Sequence, residues 1–108
     1  MAVVVLRGEL DAYNAPAVRR ELASALEAGN DLVVDLRAAS FIDSVVGGEL
    51  LEARKDAKER GAGLALVLSD SRANHVRRML EQTNLIAIFD VFDTPEEAVV
   101  GLRTGGRP

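Results

Sequence analysis

The sequence predicts an α/β domain of about four mostly parallel strands alternating with four helices packed on the sheet. Three observations predict it. Mostly apolar runs recur at residues 2–6, 32–36, 64–68 and 88–92, the first of them rich in β-branched valine. Between them stand stretches with apolar residues at helical spacing. Each of these stretches is long enough to carry the chain back to the same end of a sheet, which makes neighbouring strands parallel and their βαβ units right-handed. The 108 residues, 48% of them hydrophobic and 28% charged, suit one core. Residues 1–103 are expected to form a single domain and 104–108 a flexible tail.

The elements follow in order. Residues 2–6, Ala-Val-Val-Val-Leu, read as a strand buried on both faces. Gly8 and Asp11 begin a turn. Pro16 is suited to the first turn of a helix with Asn14 or Ala15 before it as cap, and Val18, Leu22, Ala25 and Leu26 form the stripe. Gly29-Asn30 ends that helix. Leu32, Val33, Val34 and Leu36 make a second buried strand, interrupted by Asp35, and residues 38–41 a short connection. A helix from about Gly48 to Arg60 carries a lean stripe of Val46, Leu50, Ala53 and Ala57, and Gly61 to Gly63 stops it. Residues 64–68 form the third strand. Ser69, Asp70 and Ser71 are cap candidates for a helix presenting Ala73, Val76, Met79, Leu80 and Thr83, with Asn84 as its left-handed end. Residues 88–92 form the fourth strand. Thr94-Pro95-Glu96-Glu97 is a capping box that starts the last helix, which runs to about Leu102.

Composition excludes several functions. With 13 Lys+Arg against 17 Asp+Glu, the net charge of −4 argues against binding a nucleic-acid backbone. The aromatic residues Tyr13, Phe41, Phe89 and Phe92 are too few for a base-stacking platform. There is no cysteine, hence no disulfide, thiolate catalyst or zinc–sulfur site. No apolar run approaches the ~20 residues of a membrane span, and residues 1–7 do not read as a signal peptide. A cytoplasmic protein that neither inserts into membranes nor needs a cofactor is expected.

In parallel sheets, ligands meet the loops beyond the strands' carboxyl ends, here residues 8–14, 37–48, 69–71 and 92–94. The richest is Phe41-Ile42-Asp43-Ser44-Val45-Val46-Gly47-Gly48. Ser44 or Asp43 is an N-cap, worth ~1 kcal/mol. Ser44 is also a phosphorylation candidate, a reading compatible with the cap. A phosphate there adds ~−1.5 to −2 charges beside free helix N–H groups that tolerate an anion. Gly47-Gly48 is followed by Glu49-Leu50 rather than the Lys-Ser/Thr of a phosphate loop. The aspartates Asp11, Asp35, Asp43, Asp70 and Asp93 near strand ends could hold Mg²⁺, but turn and cap roles explain most of them better. Arg72, Arg77 and Arg78 around His75 read as a solvated basic face, with His75 partly exposed and without a role.

Three stretches resemble one family. Leu6-Arg7-Gly8-Glu9-Leu10-Asp11 with Ala15-Pro16 resembles a G-x-L/I-D…A-P lead into a first helix. The segment from Val33-Val34-Asp35-Leu36 to Phe41-Ile42-Asp43-Ser44 resembles a strand leading into a D-S-[ST]-G-L-G loop. Leu85, Phe89, Phe92, Thr94 and Glu97-Ala98 resemble an L-x-x-x-F…F-x-[ST]-x-x-E-A close. Together, in order, they are similar to the STAS domain, the family of sulfate-transporter and anti-sigma-factor-antagonist domains.

That resemblance implies a STAS-like fold, a small mixed sheet with helices packed on it. It implies an anti-sigma factor antagonist, which is a regulator and not an enzyme. Such a protein binds an ATP-dependent serine kinase that is also an anti-sigma factor, and loses it when the kinase phosphorylates the serine after the loop's Asp. A phosphatase resets this partner switch, which serves transcription regulation and stress response in bacteria. By position the phosphorylated serine is Ser44. The partner surface comprises Asp11, Asn14, Asp43, Ser44, Val45, Val46, Gly47 and Gly48. In the loop, Asp43, Ser44 and Gly48 match the family pattern, while Val45, Val46 and Gly47 depart from it. Val46 disfavours positive φ, so a loop of different shape is expected. Family members often begin with one further antiparallel strand, which this chain starts too late to contain. The edge at residues 2–6 is therefore expected to be open or paired with a second copy in a homodimer. The alternatives are a non-switching STAS scaffold, as a subunit of a stress-signalling complex or an ABC-type transporter accessory, and a small enzyme or nucleotide-binding protein built on the aspartate rim.

Overall fold

The structure, a computed structural model, describes residues 1–70 and 74–104. Its strands are β1 (Ala2–Val5), β2 (Gly8–Leu10), β3 (Leu32–Asp35), β4 (Ala39–Ile42), β5 (Leu64–Val67) and β6 (Asp90–Phe92). Its helices are α1 (Ala15–Glu27), α2 (Ser44–Glu59), α3 (His75–Gln82) and α4 (Pro95–Arg103). Strands β1-β3-β5-β6 form a four-stranded sheet in that order, and β2-β4 a separate two-stranded sheet. Every pairing among the described residues is parallel. The α/β class and the helix-strand alternation stand as expected.

The helices divide between the two faces of the large sheet. On one face Leu32, Val34, Leu64 and Leu66 pack against Val18, Leu22 and Leu26 of α1, Val46, Leu50, Ala53 and Ala57 of α2, and Val76 and Leu80 of α3. These are the predicted stripes, now buried. On the other face Val33, Ala65 and Val67, with Phe92 of β6 beside them, meet Ala98, Val99 and Leu102 of α4, the one helix on that face among the described residues. One helix does not span four strands, and that corrects the expectation for residues 2–6. Val3 lies in register with the fully buried Val33, yet it is 47% exposed, and Val5 is 39% exposed. Strand β1 is an edge strand covered on one face only.

Two further corrections concern short elements. In place of a turn beginning at Gly8 and a connection over residues 38–41, the chain forms strands at 8–10 and 39–42. They pair as β2 and β4, with Glu9 opposite Phe41 and Leu10 opposite Ile42 after an irregularity at Gly8, whose φ is +77°. Helix α2 starts at Ser44 rather than near Gly48. Gly47 and Gly48 weaken helix propensity, but a tertiary reason outweighs them. A Cβ on Gly47 would stand 3.1 Å from Leu85 Cδ1 and 3.2 Å from Met79 Cε, so the helix passes close to its neighbours there.

The helix ends follow their chemistry. Thr94 Oγ1 accepts the Glu97 N–H at 3.1 Å, as the capping box requires. Asn84 adopts the left-handed conformation expected of it, φ 62°. It leads into a 3₁₀ turn at Leu85–Ala87 that shortens the last strand to Asp90–Phe92. Helix α3 is capped by Asn74, whose Oδ1 accepts the Arg77 N–H at 2.8 Å, instead of by a residue of 69–71. Within the predicted α3 stripe Met79 is half-buried, and Thr83 is exposed and bonds back to Met79 O. Ser71, Arg72, Ala73 and the tail 105–108 lie outside the described residues.

Asp35 does not interrupt its strand. It is 5% exposed, and Arg37 meets it with a two-point contact, Nε to Oδ1 at 3.0 Å and Nη2 to Oδ2 at 2.9 Å, together with its own N–H at 3.0 Å. Burial works to raise the Asp35 pKa. The Arg37 guanidinium and N–H outweigh burial and hold it below the usual aspartate value.

Candidate functional site

The two-stranded sheet assembles the site. Pairing Leu10 with Ile42 sets the loop after β2 beside the start of α2, and the Asp43 N–H donates to Leu10 O at 3.1 Å. The Asp43 carboxylate then joins both segments. Its Oδ1 accepts the Val46 N–H at 3.0 Å, which caps α2, and its Oδ2 accepts the Ala12 N–H at 2.9 Å from the neighbouring loop. Of the two cap candidates, Asp43 is the cap. Ser44 is the first helical residue and points to solvent.

The first loop is braced from within. Asp11 Oδ1 accepts the Tyr13 N–H at 3.0 Å, a side-chain turn of the kind aspartate favours. Asn14 occupies the cap position of α1, but its side chain turns back into the loop. Its Oδ1 accepts the Asp11 N–H at 2.8 Å, and its Nδ2 donates to Glu9 O at 2.9 Å. The α1 start is closed instead by Asp11 O, which accepts the Ala15 N–H at 3.0 Å. Tyr13, at the tip, is 94% exposed.

The structure sorts the predicted partner residues. Asp11, Asn14, Asp43, Ser44, Val45 and Gly48 come together on one rim, with Val45 47% exposed. Val46 and Gly47 are a correction, for both are buried. Val46 belongs to the core and Gly47 admits Leu85 and Met79, so they support the surface from beneath without forming part of it. The expected change of loop shape has no local cause here. Residues 44–48 are helical and none has a positive φ, so a β-branched residue fits at Val46.

Asp11, Asp43 and Asp35 are occupied as turn, cap and ion-pair groups respectively. Among the described residues no cluster of three or more His, Asp or Glu could hold a metal ion. Lower on the same side, Arg19 grips Glu49 with Nε–Oε1 at 3.0 Å and Nη2–Oε2 at 2.6 Å, fastening α1 to α2. The Arg19 hydrogen bond holds the Glu49 carboxyl below its ordinary value despite the opposing effect of burial. Sequence reasoning missed one contact near the rim. His75 stacks on Phe41 with ring centroids 5.1 Å apart, seating α3 against β4. No local pattern links two residues so far apart in the chain.

Comparison with known proteins agrees with this architecture. The family model of the STAS domain matches residues 1–98. The chain belongs to the STAS domain family. This STAS domain is 31% identical over 96 residues to the anti-sigma-B factor antagonist of Bacillus subtilis (strain 168), a match covering 89% of this chain and 85% of that protein. The structure of an anti-sigma factor antagonist from Mycobacterium paratuberculosis is similar with a TM-score of 0.81 at 26% identity, covering 94% of this STAS domain and 84% of that chain. The phosphorylated form of the Bacillus cell fate determinant SpoIIAA shares the fold, with a TM-score of 0.61 at 23% identity over 90% of this chain and 86% of that one. Among the described residues no helix of this STAS domain is long and apolar enough to cross a membrane.

Proposed function

We propose that this STAS domain is an anti-sigma factor antagonist that works by partner switching. Unphosphorylated, it binds an anti-sigma factor that is also an ATP-dependent serine kinase. Phosphorylation of Ser44 by that kinase ends the binding, and a phosphatase restores it. The relationship to the Bacillus subtilis anti-sigma-B factor antagonist supports the class. The observation that carries the mechanism is the placement of Ser44. Its exposed side chain stands at the first position of α2, on the rim where Asp43 ties the β2 loop to the helix.

The chemistry of the switch follows from that placement. Asp43 satisfies the Val46 N–H, which leaves the N–H groups of Ser44 and Val45 without intrahelical partners. A phosphate on Ser44 therefore lands at the favourable end of the helix dipole, and the fold tolerates it. A partner built to bury a neutral hydroxyl beside Val45 instead meets ~−1.5 to −2 charges. The desolvation cost of that charge falls on the interface, whereas its repulsion from Asp43 and Asp11 of the same rim is carried by the free protein and offset by the helix N-terminus. The protein itself performs no catalysis in this scheme and needs no cofactor; the kinase brings the nucleotide.

The test is incubation with the kinase and ATP, with the modified residue located by mass spectrometry. Binding is measured for the wild type and for Ser44→Ala and Ser44→Asp. Phosphate on Ser44, retained binding by the Ala variant and weakened binding by the Asp variant are expected. Equal affinity of the two variants would refute the switch. Stable binding without phosphate transfer would favour a fixed scaffold, with Ser44 as neutral contact surface.

A further inference from the structure

The four aromatic side chains divide three to one. Phe89 is buried, Phe92 packs against α4 at Gly101, and Phe41 stacks on His75. Tyr13 belongs to neither apolar cluster and is 94% exposed. A single exposed apolar side chain needs no explanation, but the backbone beneath this one does. The Tyr13 N–H donates to Asp11 Oδ1 at 3.0 Å, and the preceding Ala12 N–H to Asp43 Oδ2 at 2.9 Å. The Asn14 side chain closes the loop behind them through the Asp11 N–H and Glu9 O. Four hydrogen bonds from three side chains thus fix a backbone whose tip presents one solvated ring.

We infer that Tyr13 is an anchor residue for the partner of the Ser44 rim, its ring entering an apolar recess of the anti-sigma factor kinase. The inference rests on the proposed function. Position carries it. The bond between the Ala12 N–H and the Asp43 carboxylate ties together the chain neighbours of the two residues, since Tyr13 follows Ala12 and Ser44 follows Asp43. A standard interface covers ~800 Å² per partner, a disc of roughly 16 Å radius. A footprint of that size centred on Ser44 includes the loop that carries Tyr13. A partner that encloses the Ser44 hydroxyl therefore meets the projecting ring, and a recess for it turns that encounter into buried area.

The energetics favour such an anchor. Tyrosine buries a large apolar area while fixing only two side-chain torsions. Its loop is already ordered by hydrogen bonds in the free protein, so binding need not order it. Val45, 47% exposed on the same rim, supplies a second apolar contact. The two rim residues then act differently. The Ser44 hydroxyl is placed by the start of α2, which Asp43 caps, and not by the Tyr13 side chain. Tyr13 adds affinity that is the same before and during phosphoryl transfer, whereas Ser44 carries the change of charge that ends binding.

The test measures binding of the anti-sigma factor kinase, and its phosphorylation of Ser44, for the wild type, Tyr13→Ala, Tyr13→Phe and Ser44→Asp. Tyr13→Ala should weaken binding about thirtyfold or more, as loss of an interface hot spot does. Tyr13→Phe keeps the ring and should stay within about threefold of the wild type. Urea denaturation checks that both variants keep the fold. In the kinase assay Tyr13→Ala should raise KM and leave kcat unchanged, the pattern of an interaction made equally in ground and transition states. Tyr13 is the one tyrosine of the chain, so 3-fluorotyrosine labelling gives a single fluorine resonance. That resonance should shift on adding kinase and lose its difference between H₂O and D₂O. An unmoved resonance in the complex, wild-type binding by Tyr13→Ala, or a fall in kcat at constant KM would overturn the inference. Equal losses for Tyr13→Phe and Tyr13→Ala would overturn burial of the ring. Ser44→Asp separates this inference from the switch: if it binds like the wild type while Tyr13→Ala is weakened, the switch falls and the anchor stands. A wild type that binds no anti-sigma factor kinase removes both.

Discussion

Replacing Asp43 separates a capping role from a contact role. Its carboxylate holds two backbone N–H groups at once, Val46 at 3.0 Å and Ala12 at 2.9 Å. Removing the cap costs ~0.5–2 kcal/mol. The second bond has a charged acceptor but lies at the exposed surface, so it adds ~1 kcal/mol, below the range for buried groups. Asp43→Ala should therefore lose about 1.5–3 kcal/mol, a large share of the ~5–15 kcal/mol typical of a domain. Asp43→Asn can still cap Val46 through its carbonyl oxygen, but it turns an NH₂ toward the Ala12 N–H. It should lose about 1 kcal/mol. Ser44→Ala, at the first helical position rather than the cap, should change stability by less than about 0.5 kcal/mol. Urea denaturation measures all three, and amide exchange at Ala12 and Val46 shows which bond was lost. The reasoning fails if Asp43→Ala costs no more than Ser44→Ala, or if Asn and Ala at position 43 are equally damaging.

Three more expectations test other parts of the fold. Asp35→Asn should destabilise at neutral pH. A carboxylate held below its unfolded value contributes stability above that value and loses it as pH falls through the folded pKa. The gap between variant and wild type should therefore shrink below about pH 4 in urea titrations, and a gap independent of pH would refute the Arg37 pairing. Gly48→Ala should raise stability by about 0.5–1 kcal/mol, since its Cβ would meet nothing within 4 Å in a helix; a lower melting temperature would mean that α2 does not begin at Ser44. Leu66→Ala, in the fully buried centre of β5, should lose ~2–5 kcal/mol, with slow amide exchange across Leu64–Val67 in the wild type.

Much of this was legible in the sequence because it rests on local rules. The stripes Val18-Leu22-Leu26 and Val46-Leu50-Ala53-Ala57 announce helices through spacing alone. Thr94 to Glu97 marks a helix start, and Asn84 a left-handed end, through their own short-range bonding and backbone preference. Ser44 stands out as the candidate residue because Asp-Ser before a helix is a local signature.

Tertiary structure decided the rest. The run Ala-Val-Val-Val-Leu has no alternation, so it cannot say whether α4 covers one of its faces; only the number of strands one helix can span left Val3 and Val5 bare. Strands of three and four residues, β2 and β4 gain their stability from each other across a long stretch of chain, and no window of sequence contains both. The start of α2 set glycine propensity against packing, and packing on Leu85 and Met79 prevailed. The second bond of Asp43, to the Ala12 N–H, exists because the β2-β4 pairing brings that group within reach. Local preference is written residue by residue, whereas these outcomes depend on which distant surfaces meet.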